Sequence, residues 1–371
     1  MPEGAAPCAP RSAQNAKGLM SLGRSPKQPT TCPRPAEAGA DQSLFEQIYD
    51  FESLYRAWCR ARAGKRGKRN IAKYHHNLES ELIQLQNELM WGVWEPGCYE
   101  SFEIHEPKTR WIYAPAFRDR VLHHSLVAAL TPRYERIFIH NSFACRIGKG
   151  AHAGASAAEA AIRKTARQHG KAYALKADIR KYFQSINRAI MKSLLRQRIG
   201  CARTLAVCDR IIDYAPGDTG LPLGNLTSQL FANIYLHELD HHMVNACGIA
   251  QYFRYMDDWV VIGHDKAHLQ HCLDLARAKL ADLSLELNPK TAVFPVSSKR
   301  GHSVDFLGYQ LYGTHRRLRQ RSRRKGFAYA RNLASEPNHY HLDRLTSWYA
   351  HARHAEPTGM MRQIFSILSN N

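Results

Sequence analysis

Three aspartates stand where the sequence pattern predicts that β-strands end. Asp257 and Asp258 interrupt the apolar stretch 253–263, "FRYMDDWVVIG", and so lie at the predicted turn of a hairpin. Asp178 closes a separate alternating strand, "KAYALKAD". Adjacent carboxylates repel each other and are costly to bury, which indicates a bound cation. Carboxylates at strand ends can hold two Mg²⁺ ions for phosphoryl transfer to a 3′-hydroxyl, one activating the nucleophile and the other neutralising the triphosphate and leaving group.

A solvated turn is the alternative explanation of the adjacent acids, since Asp is a common turn residue. The Asp257–Asp258 pair alone does not decide between the two. The Tyr-x-Asp-Asp pattern between two apolar strands, with a third acid on another strand, favours the metal site.

A second candidate metal site is "HELDH", His237–His241, which matches the H-E-x-x-H pattern of zinc proteases. On a helix both histidines would share one face, and Glu238 could act as the base. Val244 and Cys247 occupy the positions where a metzincin has Gly and His. The chain has 20 histidines, so a chance match is easy, and the pattern favours an ordinary helix.

The first part of the chain is predicted to be a tail followed by helices. Residues 1–42 are rich in Pro, Ala, Ser and Gly without periodicity, which is typical of disorder. A helical pattern runs from Phe45 through Trp58 and ends at Gly64 in the basic loop "GKRGKRN". A second helix is predicted over residues 74–90, before "WEPGC".

The middle of the chain alternates between strands and helices. Two short strands around a turn are predicted in "YESFEIHEPKTRWIYAP", followed by an amphipathic helix that is expected to stop at Pro132. The Gly-rich "CRIGKGAHAG" opens a helix over 156–169, but its spacing is not that of a P-loop. After the strand that ends at Asp178, a Pro-Gly turn leads into the helix of "GNLTSQLFANIYL". The Asp-Asp hairpin comes next, then a helix over 266–283.

The C-terminal segment, residues 315–371, is strongly basic at its start. Seven Lys or Arg residues lie between Arg316 and Lys325, and a helical pattern follows in "LDRLTSWYAHARHA". The whole chain has 52 Lys and Arg against 32 Asp and Glu, a net charge of +20, which indicates a polyanionic partner such as nucleic acid. A generally basic, ribosome-associated protein remains the alternative.

Composition narrows the class of protein further. The 371 residues are enough for two or three structural units. No apolar run has the length of a membrane span, and the N-terminus lacks the apolar core of a signal peptide. The nine cysteines are scattered without a Cys-x-x-Cys pair, which favours a reducing, cytoplasmic environment.

Several motifs in order resemble those of reverse transcriptases. "YMDD", Tyr255–Asp258, is similar to their Y-x-D-D box, "ADIRKYFQSI" to their first catalytic motif, and "FLGY", Phe306–Tyr309, to the motif that grips the primer. "EPKTRWIYAPAFRDRVLHHSL" resembles the fingers motif of bacterial retroelement enzymes. The resemblance runs from about Phe45 to beyond Tyr349. It implies an α+β right-hand polymerase fold in which an antiparallel palm sheet carries the YMDD hairpin and helices pack on one face.

One motif narrows the resemblance to the reverse transcriptases of diversity-generating retroelements. Most bacterial relatives carry Gln-Gly and then Ser-Pro before the Y-x-D-D box, whereas "LPLGNLTSQ" has Leu223 before Gly224 and Gln229 after Ser228. This family copies a template-repeat RNA with errors at adenines, so that the cDNA diversifies a target gene. The resemblance therefore implies template RNA, primer, RNA–DNA hybrid and dNTPs as ligands, and a small basic accessory protein, which could be oligomeric, as partner.

The resemblance also divides the chain. The implied order is a disordered tail (1–42), fingers with N-terminal helices (43–170), a palm (171–314) that can interleave with the fingers, and a mostly helical thumb (315–371). The basic run at the start of the thumb is expected to follow the template–primer backbone. A solvated charged linker is the alternative for that run.

The resemblance implies a metal site of two Mg²⁺ ions, for which Mn²⁺ can substitute. Asp178 and Asp257 are expected as the main ligands and Asp258 as a weaker or transient one. The carbonyl of Ile179 is expected to add a further contact.

Other residues are expected to contact the nucleotide or the nascent base pair. Lys108 and Arg110 would neutralise the triphosphate, Phe183 would exclude a ribose 2′-hydroxyl, and Lys290 would protonate the leaving pyrophosphate. Three residues are expected near the templating base or nascent pair: Gly224, Asn225 and Gln229. Leu223 stands where accurate relatives have a Gln that can brace the sugar and the pair.

Two other functions stay open at this stage. One is a different bacterial reverse transcriptase, in phage defence or derived from an intron. The other is a non-catalytic RNA-binding protein on a polymerase fold, against which the presence of all three acids argues.

Overall fold

The computed structural model describes residues 44–105, 109–297, 302–355 and 357–369. The predicted disordered tail lies outside these residues. No helix within the described ranges is both long and apolar enough to cross a membrane.

The N-terminal helices are shorter than predicted. They are α1 (44–49), α2 (Phe51–Ala61), α3 (Arg69–His76) and α4 (Leu78–Trp91). A new helix begins at Phe51 because the carboxylate of Asp50 accepts a hydrogen bond from the Ser53 amide (3.0 Å) and caps it. A break at Asn77 likewise divides the helix expected over 74–90.

A two-stranded hairpin and a long helix follow. Strands β1 (Glu100–Ile104) and β2 (Arg110–Ala114) pair antiparallel, as predicted, and we call them the fingers hairpin. Helix α5 (Phe117–Glu135) continues through Pro132, so the prediction that this proline ends the helix is wrong. A proline removes only one backbone N–H, and packing of α5 against α2 and burial of Tyr134 beyond the proline compensate for that loss.

The four-stranded central sheet has the order β4-β5-β3-β6 and is antiparallel throughout. Its strands are β3 (Tyr173–Asp178), β4 (Tyr252–Tyr255), β5 (Asp258–Gly263) and β6 (Ala292–Pro295). Asp178 ends β3 opposite Asp258, and Tyr255 pairs with Asp258 across a tight turn. The sheet therefore brings the three predicted acids to one end.

Helices cover both faces of the central sheet. They are α6 (Ala151–His169), α10 (Leu226–His241) and α11 (Lys266–Asp282), and the shorter α7 (Tyr182–Ser185), α8 (Arg188–Arg196) and α9 (Ala202–Asp213) connect β3 to α10. Leu175 lies in one apolar core with α10 and α11, whereas Ala174 lies in a second core with α6. The expectation of helices on one face is wrong, because both sides of β3 are apolar.

A small sheet and three helices complete the chain. The strands β7 (Val304–Phe306), β8 (Tyr309–Leu311) and β9 (Arg316–Leu318) pair in that order, and α12 (Gln320–Ser335), α13 (His339–Ala352) and α14 (Thr358–Ser369) follow. Gly326 lies against the ring of Trp348, so α12 and α13 pack closely. The helical thumb boundary at 314–315 stays a prediction; it falls between the paired strands β8 and β9.

A fully buried ion pair fixes the hairpin that carries Asp257. The guanidinium of Arg254 donates from Nε and Nη2 to the two carboxylate oxygens of Asp240, each at 2.6 Å. Its other N–H groups donate to Asn233 Oδ1, the Met256 carbonyl and Ser142 Oγ, each at 3.2 Å. Because every donor of Arg254 is used, the pair joins β4, α10 and the loop before α6 at the base of the turn.

We predict that Arg254→Met lowers the free energy of unfolding by about 3–5 kcal/mol, because it leaves the Asp240 carboxylate buried without a partner. Urea denaturation followed by circular dichroism measures the loss. The double variant Arg254→Met/Asp240→Leu should recover part of it, since no charge is then buried. Arg277→Met, at an exposed ion pair with Asp274, is the control and should change stability by less than about 1 kcal/mol. A loss below about 1 kcal/mol in Arg254→Met would contradict the role of this pair.

Candidate active site

A cleft of about 570 Å³ lies between the fingers hairpin and the end of the central sheet. Twelve residues line it: Thr109, Arg110, Asp178, Ile179, Arg180, Lys181, Tyr182, Phe183, Gln184, Leu223, Asp257 and Asn288. The structure thus brings together six of the twelve site residues that the sequence singled out, and the lining as a whole comes from five separate segments of the chain.

Backbone and side-chain hydrogen bonds hold the two acids of the cleft in place. The Ile179 amide donates to the Asp257 carbonyl (3.2 Å), which ties the end of β3 to the hairpin turn. The Asn288 amide donates to the Asp178 carbonyl (2.7 Å), and Asn288 Nδ2 donates to Asp178 Oδ2 (3.2 Å). Asn288 was not among the predicted site residues, although it stands two residues before the candidate Lys290.

The electrostatics of the Asp178–Asp257 pair suit a cation. Burial raises the pKa of Asp257, and the nearby Asp178 carboxylate raises it further, while Arg110 and Lys176 act in the opposite direction. Two half-buried carboxylates offer the hard oxygen ligands that Mg²⁺ prefers. Within the described residues there is no cluster of three or more His, Cys, Asp or Glu arranged to hold a metal, so the fit rests on this pair.

Asp258 does not line the cleft. Its carboxylate forms an ion pair with Lys176 on the adjacent strand. Burial lowers the pKa of Lys176 to about 7, although the carboxylates of Asp178, Asp305 and Asp257 act in the opposite direction. The adjacent acids of the turn therefore occupy different environments, which supports a lesser part for Asp258.

Cationic side chains enter the cleft from both sides. Arg110 is exposed at the start of β2, and its charge acts on Asp257. Lys108 lies outside the described residues. Arg180 and Lys181, two and three residues after Asp178, also line the cleft. No site role was predicted for these two cations, although the motif "ADIRK" contains them together with the acid.

The apolar part of the cleft wall includes Phe183 and Leu223. The Leu221 amide donates to the Phe183 carbonyl (2.7 Å), and the Gly220 amide donates to the Ile186 carbonyl (2.8 Å). Two segments that are distant in sequence therefore hold this wall together. Gly220 adopts φ +83°, where a side chain would meet the Gln184 backbone.

The loop from Leu223 to Asn225 is fastened to the fingers hairpin. The Tyr113 amide donates to the Leu223 carbonyl (2.8 Å), and Gly224, at φ +112°, leaves no room for a Cβ beside Ile112. Asn225 is 1% exposed, and its Nδ2 donates to the Tyr99 hydroxyl (2.9 Å). Asn225 therefore faces the interior and is suited to position the loop.

Two other predicted site residues, Gln229 and Lys290, do not line the cleft. Gln229 is exposed on α10 and accepts a hydrogen bond from Cys145 Sγ (3.3 Å). Lys290 is exposed and does not line the cleft, and its amide donates to Asn288 Oδ1 (3.1 Å). The roles predicted for them stay predictions.

The "HELDH" histidines are engaged in ordinary helix packing. His241 Nε2 lies 2.9 Å from the Ile137 carbonyl, and Asn245 Nδ2 lies 2.6 Å from His241 Nδ1. Burial lowers the pKa of His237 to about 4, with the neighbouring His241 acting in the same direction. Glu238 pairs with Lys279 (3.4 Å).

The basic run divides into paired and exposed residues. Arg316 Nε donates to Glu159 Oε2 (2.7 Å), and Arg319 forms an ion pair with Asp305. These two arginines therefore hold the small sheet in place. Three arginines are exposed on the first turns of α12: Arg321, Arg323 and Arg324.

One protein family matches the middle of this chain. Residues 104–311 match the family described as "Reverse transcriptase (RNA-dependent DNA polymerase)". Protein YkfC of Escherichia coli (strain K12) is 25% identical over 178 residues, which are 45% of this chain and 46% of YkfC. The chain thus spans about half the length of this curated relative.

Solved structures of telomerase are also similar in part. Telomerase from Candida albicans, in a complex with a TWJ fragment of telomeric RNA, matches with a TM-score of 0.46 and 12% identity over 73% of this chain and 55% of that chain. Apo telomerase from Candida tropicalis matches with a TM-score of 0.49 and 11% identity over 68% and 51%.

The family match covers more than half of the chain and includes both acids of the cleft. The fingers hairpin, the antiparallel sheet with its YMDD turn and the surrounding helices form the α+β right-hand polymerase fold. On this basis the chain belongs to the family of reverse transcriptases, the RNA-dependent DNA polymerases.

Proposed function

We propose that this protein is a template-copying RNA-directed DNA polymerase whose active site is the cleft of Asp178 and Asp257. A single observation supports this proposal: these two acids, Arg110 and the apolar side chains of Phe183 and Leu223 line the same cleft. A polymerase needs ligands for metal, a cation for the triphosphate and an apolar wall for the sugar and base. All three stand within this space.

Asp178 and Asp257 would hold the divalent ions, with Asp258 as a weaker or transient ligand and the Ile179 carbonyl as a further contact. When bound, two Mg²⁺ ions, or Mn²⁺ in their place, supply activation of the 3′-hydroxyl and charge neutralisation of the triphosphate. Asn288 keeps the Asp178 carboxylate oriented through its hydrogen bond.

The side chains around the acids would select and orient the nucleotide. Arg110, with Lys108, would bind the triphosphate and stabilise the charge that develops on the leaving pyrophosphate. Phe183 would pack where a ribose 2′-hydroxyl must be excluded. Lys290 is proposed as the proton donor to pyrophosphate, which would require its exposed side chain to turn toward the cleft.

We infer further that the enzyme is of the diversity-generating type. The stretch from Leu223 to Gln229 supports this, because it places an aliphatic residue on the cleft wall where accurate relatives have Gln. The template would be a template-repeat RNA, and errors at its adenines would enter the cDNA. A small basic accessory protein and a cytoplasmic location belong to the same proposal.

Asp178→Asn and Asp257→Asn should each reduce cDNA synthesis below about 1% of wild type, because an amide keeps the volume but loses the charge that metal binding needs. Primer extension on poly(rA)·oligo(dT) at saturating Mg²⁺ measures this. Asp274→Asn, at the exposed pair with Arg277, is the control and should retain full activity. More than a few per cent of activity in either cleft variant would falsify the two-metal assignment.

Replacing Arg321, Arg323 and Arg324 by Gln should flatten the dependence of log K on log salt for a template–primer duplex. Each lost phosphate contact reduces the slope by about 0.7–1, so the slope should fall by up to about 3. Fluorescence anisotropy at several salt concentrations gives the slopes.

The control for this slope neutralises three exposed residues on α2 and α11, Arg56, Lys266 and Arg277, which do not line the cleft. This control variant removes the same three positive charges as the α12 variant, and it should leave the slope of log K against log salt nearly as in wild type. Equal slopes for all three proteins would mean that the α12 arginines are a solvated surface.

Leu223→Gln should lower misincorporation opposite template adenine several-fold, with a smaller effect opposite the other bases. A hydrogen bond contributes about 0.5–1.5 kcal/mol net, and about 1.4 kcal/mol corresponds to tenfold discrimination. Deep sequencing of cDNA made on one template, with the accessory protein present, measures the error rates. Leu221→Met, a buried neighbour, is the control. Equal adenine error rates in wild type and Leu223→Gln would place the origin of the errors elsewhere.

A further inference from the structure

A second cavity, of about 280 Å³, lies apart from the active-site cleft. It opens where α6, the connection between β8 and β9, and the short 3₁₀ turn after α13 meet. Its wall includes Ser156, Glu159, Arg163, His315, Arg316 and His354. None of its lining residues is shared with the cleft.

The charge of this cavity favours an anion. Its wall contains two guanidinium groups and two imidazoles but one buried carboxylate, Glu159. Glu159 accepts hydrogen bonds from Arg316 Nε (2.7 Å) and Arg163 Nη2 (3.3 Å). One carboxylate between two arginines leaves a net positive charge, and it holds both guanidinium groups at the wall.

The His315 ring has a fixed place at the cavity wall. The Thr314 hydroxyl lies 3.0 Å from His315 Nδ1. The ring stacks on Tyr312, with centroids 4.8 Å apart. These contacts give the wall on the side of the β8–β9 connection a defined shape.

The cavity is built before any ligand arrives. Arg163 Nε donates to the Gly313 carbonyl (3.0 Å), and Arg316 Nη2 donates to Ser156 Oγ (3.0 Å), so α6 and the β8–β9 connection are joined on both sides. On the third side, His354 stacks on His152 with centroids 3.9 Å apart. The donors therefore stay in place, which lowers the entropic cost of binding.

We propose that this cavity binds a phosphate group. Guanidinium groups bind phosphate oxygens through paired N–H donors, and the wall of the cavity contains two of them. The phosphate could be a free anion or the terminal phosphate of a nucleic acid strand. Because His354 follows α13 while Arg163 and Arg316 belong to α6 and β9, the bound group would join the C-terminal helices to the rest of the molecule.

Isothermal titration calorimetry of the full chain with inorganic phosphate, at constant ionic strength, tests the proposal. Wild type should bind, and Arg163→Gln should weaken binding at least about tenfold, since it removes one guanidinium from the wall. The matched control is Arg167→Gln, an exposed arginine one turn further along α6 that does not line the cavity. It should change the affinity less than about twofold, as a surface charge. Arg110→Gln should leave the same binding intact, which separates this cavity from the cleft.

A second pair of titrations identifies the source of the phosphate. A short RNA with a 5′-phosphate is compared with the same RNA carrying a 5′-hydroxyl. A preference for the phosphorylated strand that disappears in Arg163→Gln assigns the cavity to a strand end. Equal binding of both strands, with binding of inorganic phosphate retained, assigns it to a free anion. No phosphate binding by wild type up to about 10 mM, or equal weakening by Arg163→Gln and Arg167→Gln, would overturn the proposal.

Discussion

The guanidinium of Arg254 is cut off from solvent at the base of the YMDD turn, and each of its five N–H groups has an acceptor. A charge in this position is tolerated only because the Asp240 carboxylate faces it and the Tyr252 hydroxyl completes the network (2.9 Å). Its bond to the Met256 carbonyl holds the turn residue next to Asp257. The position of a cleft carboxylate thus depends on an ion pair within the core.

The opposite side of the cleft depends on a different kind of link. The loop of Leu223 is joined to the fingers hairpin through the Tyr113 amide, and the buried pair of Asn225 and Tyr99 fastens it from behind. Arg110 stands on the same strand as Tyr113. A movement of the fingers hairpin would therefore shift Arg110 and Leu223 together. In our proposal this couples binding of the triphosphate to selection of the correct nucleotide.

Sequence patterns predicted the elements that carry the acids, because alternation along β3 and the apolar hairpin are local signals. They did not predict the partners of those elements. Asp240 occupies one of the two unspecified positions of the H-E-x-x-H pattern in "HELDH", so the pattern predicts no role for it. In the structure its carboxylate pairs with Arg254, which lies 14 residues further along the chain. Pairing of Asp258 with Lys176 and the inward direction of Asn225 likewise depend on contacts between distant segments. The prediction at Pro132 failed for the opposite reason. The local rule that proline ends a helix predicted a stop there, but burial of Tyr134 beyond the proline keeps α5 helical.

In our proposal Asp178 and Asp257 together hold divalent cations in the cleft, and binding of Mn²⁺ tests this role without catalysis. Electron paramagnetic resonance would follow free Mn²⁺ during titration of the protein with a dideoxy-terminated primer on its template and the next dNTP. We predict protein-dependent Mn²⁺ binding in wild type and in the Asp274→Asn control, and its loss in Asp178→Asn and in Asp257→Asn. Unchanged Mn²⁺ binding in both cleft variants would contradict the account.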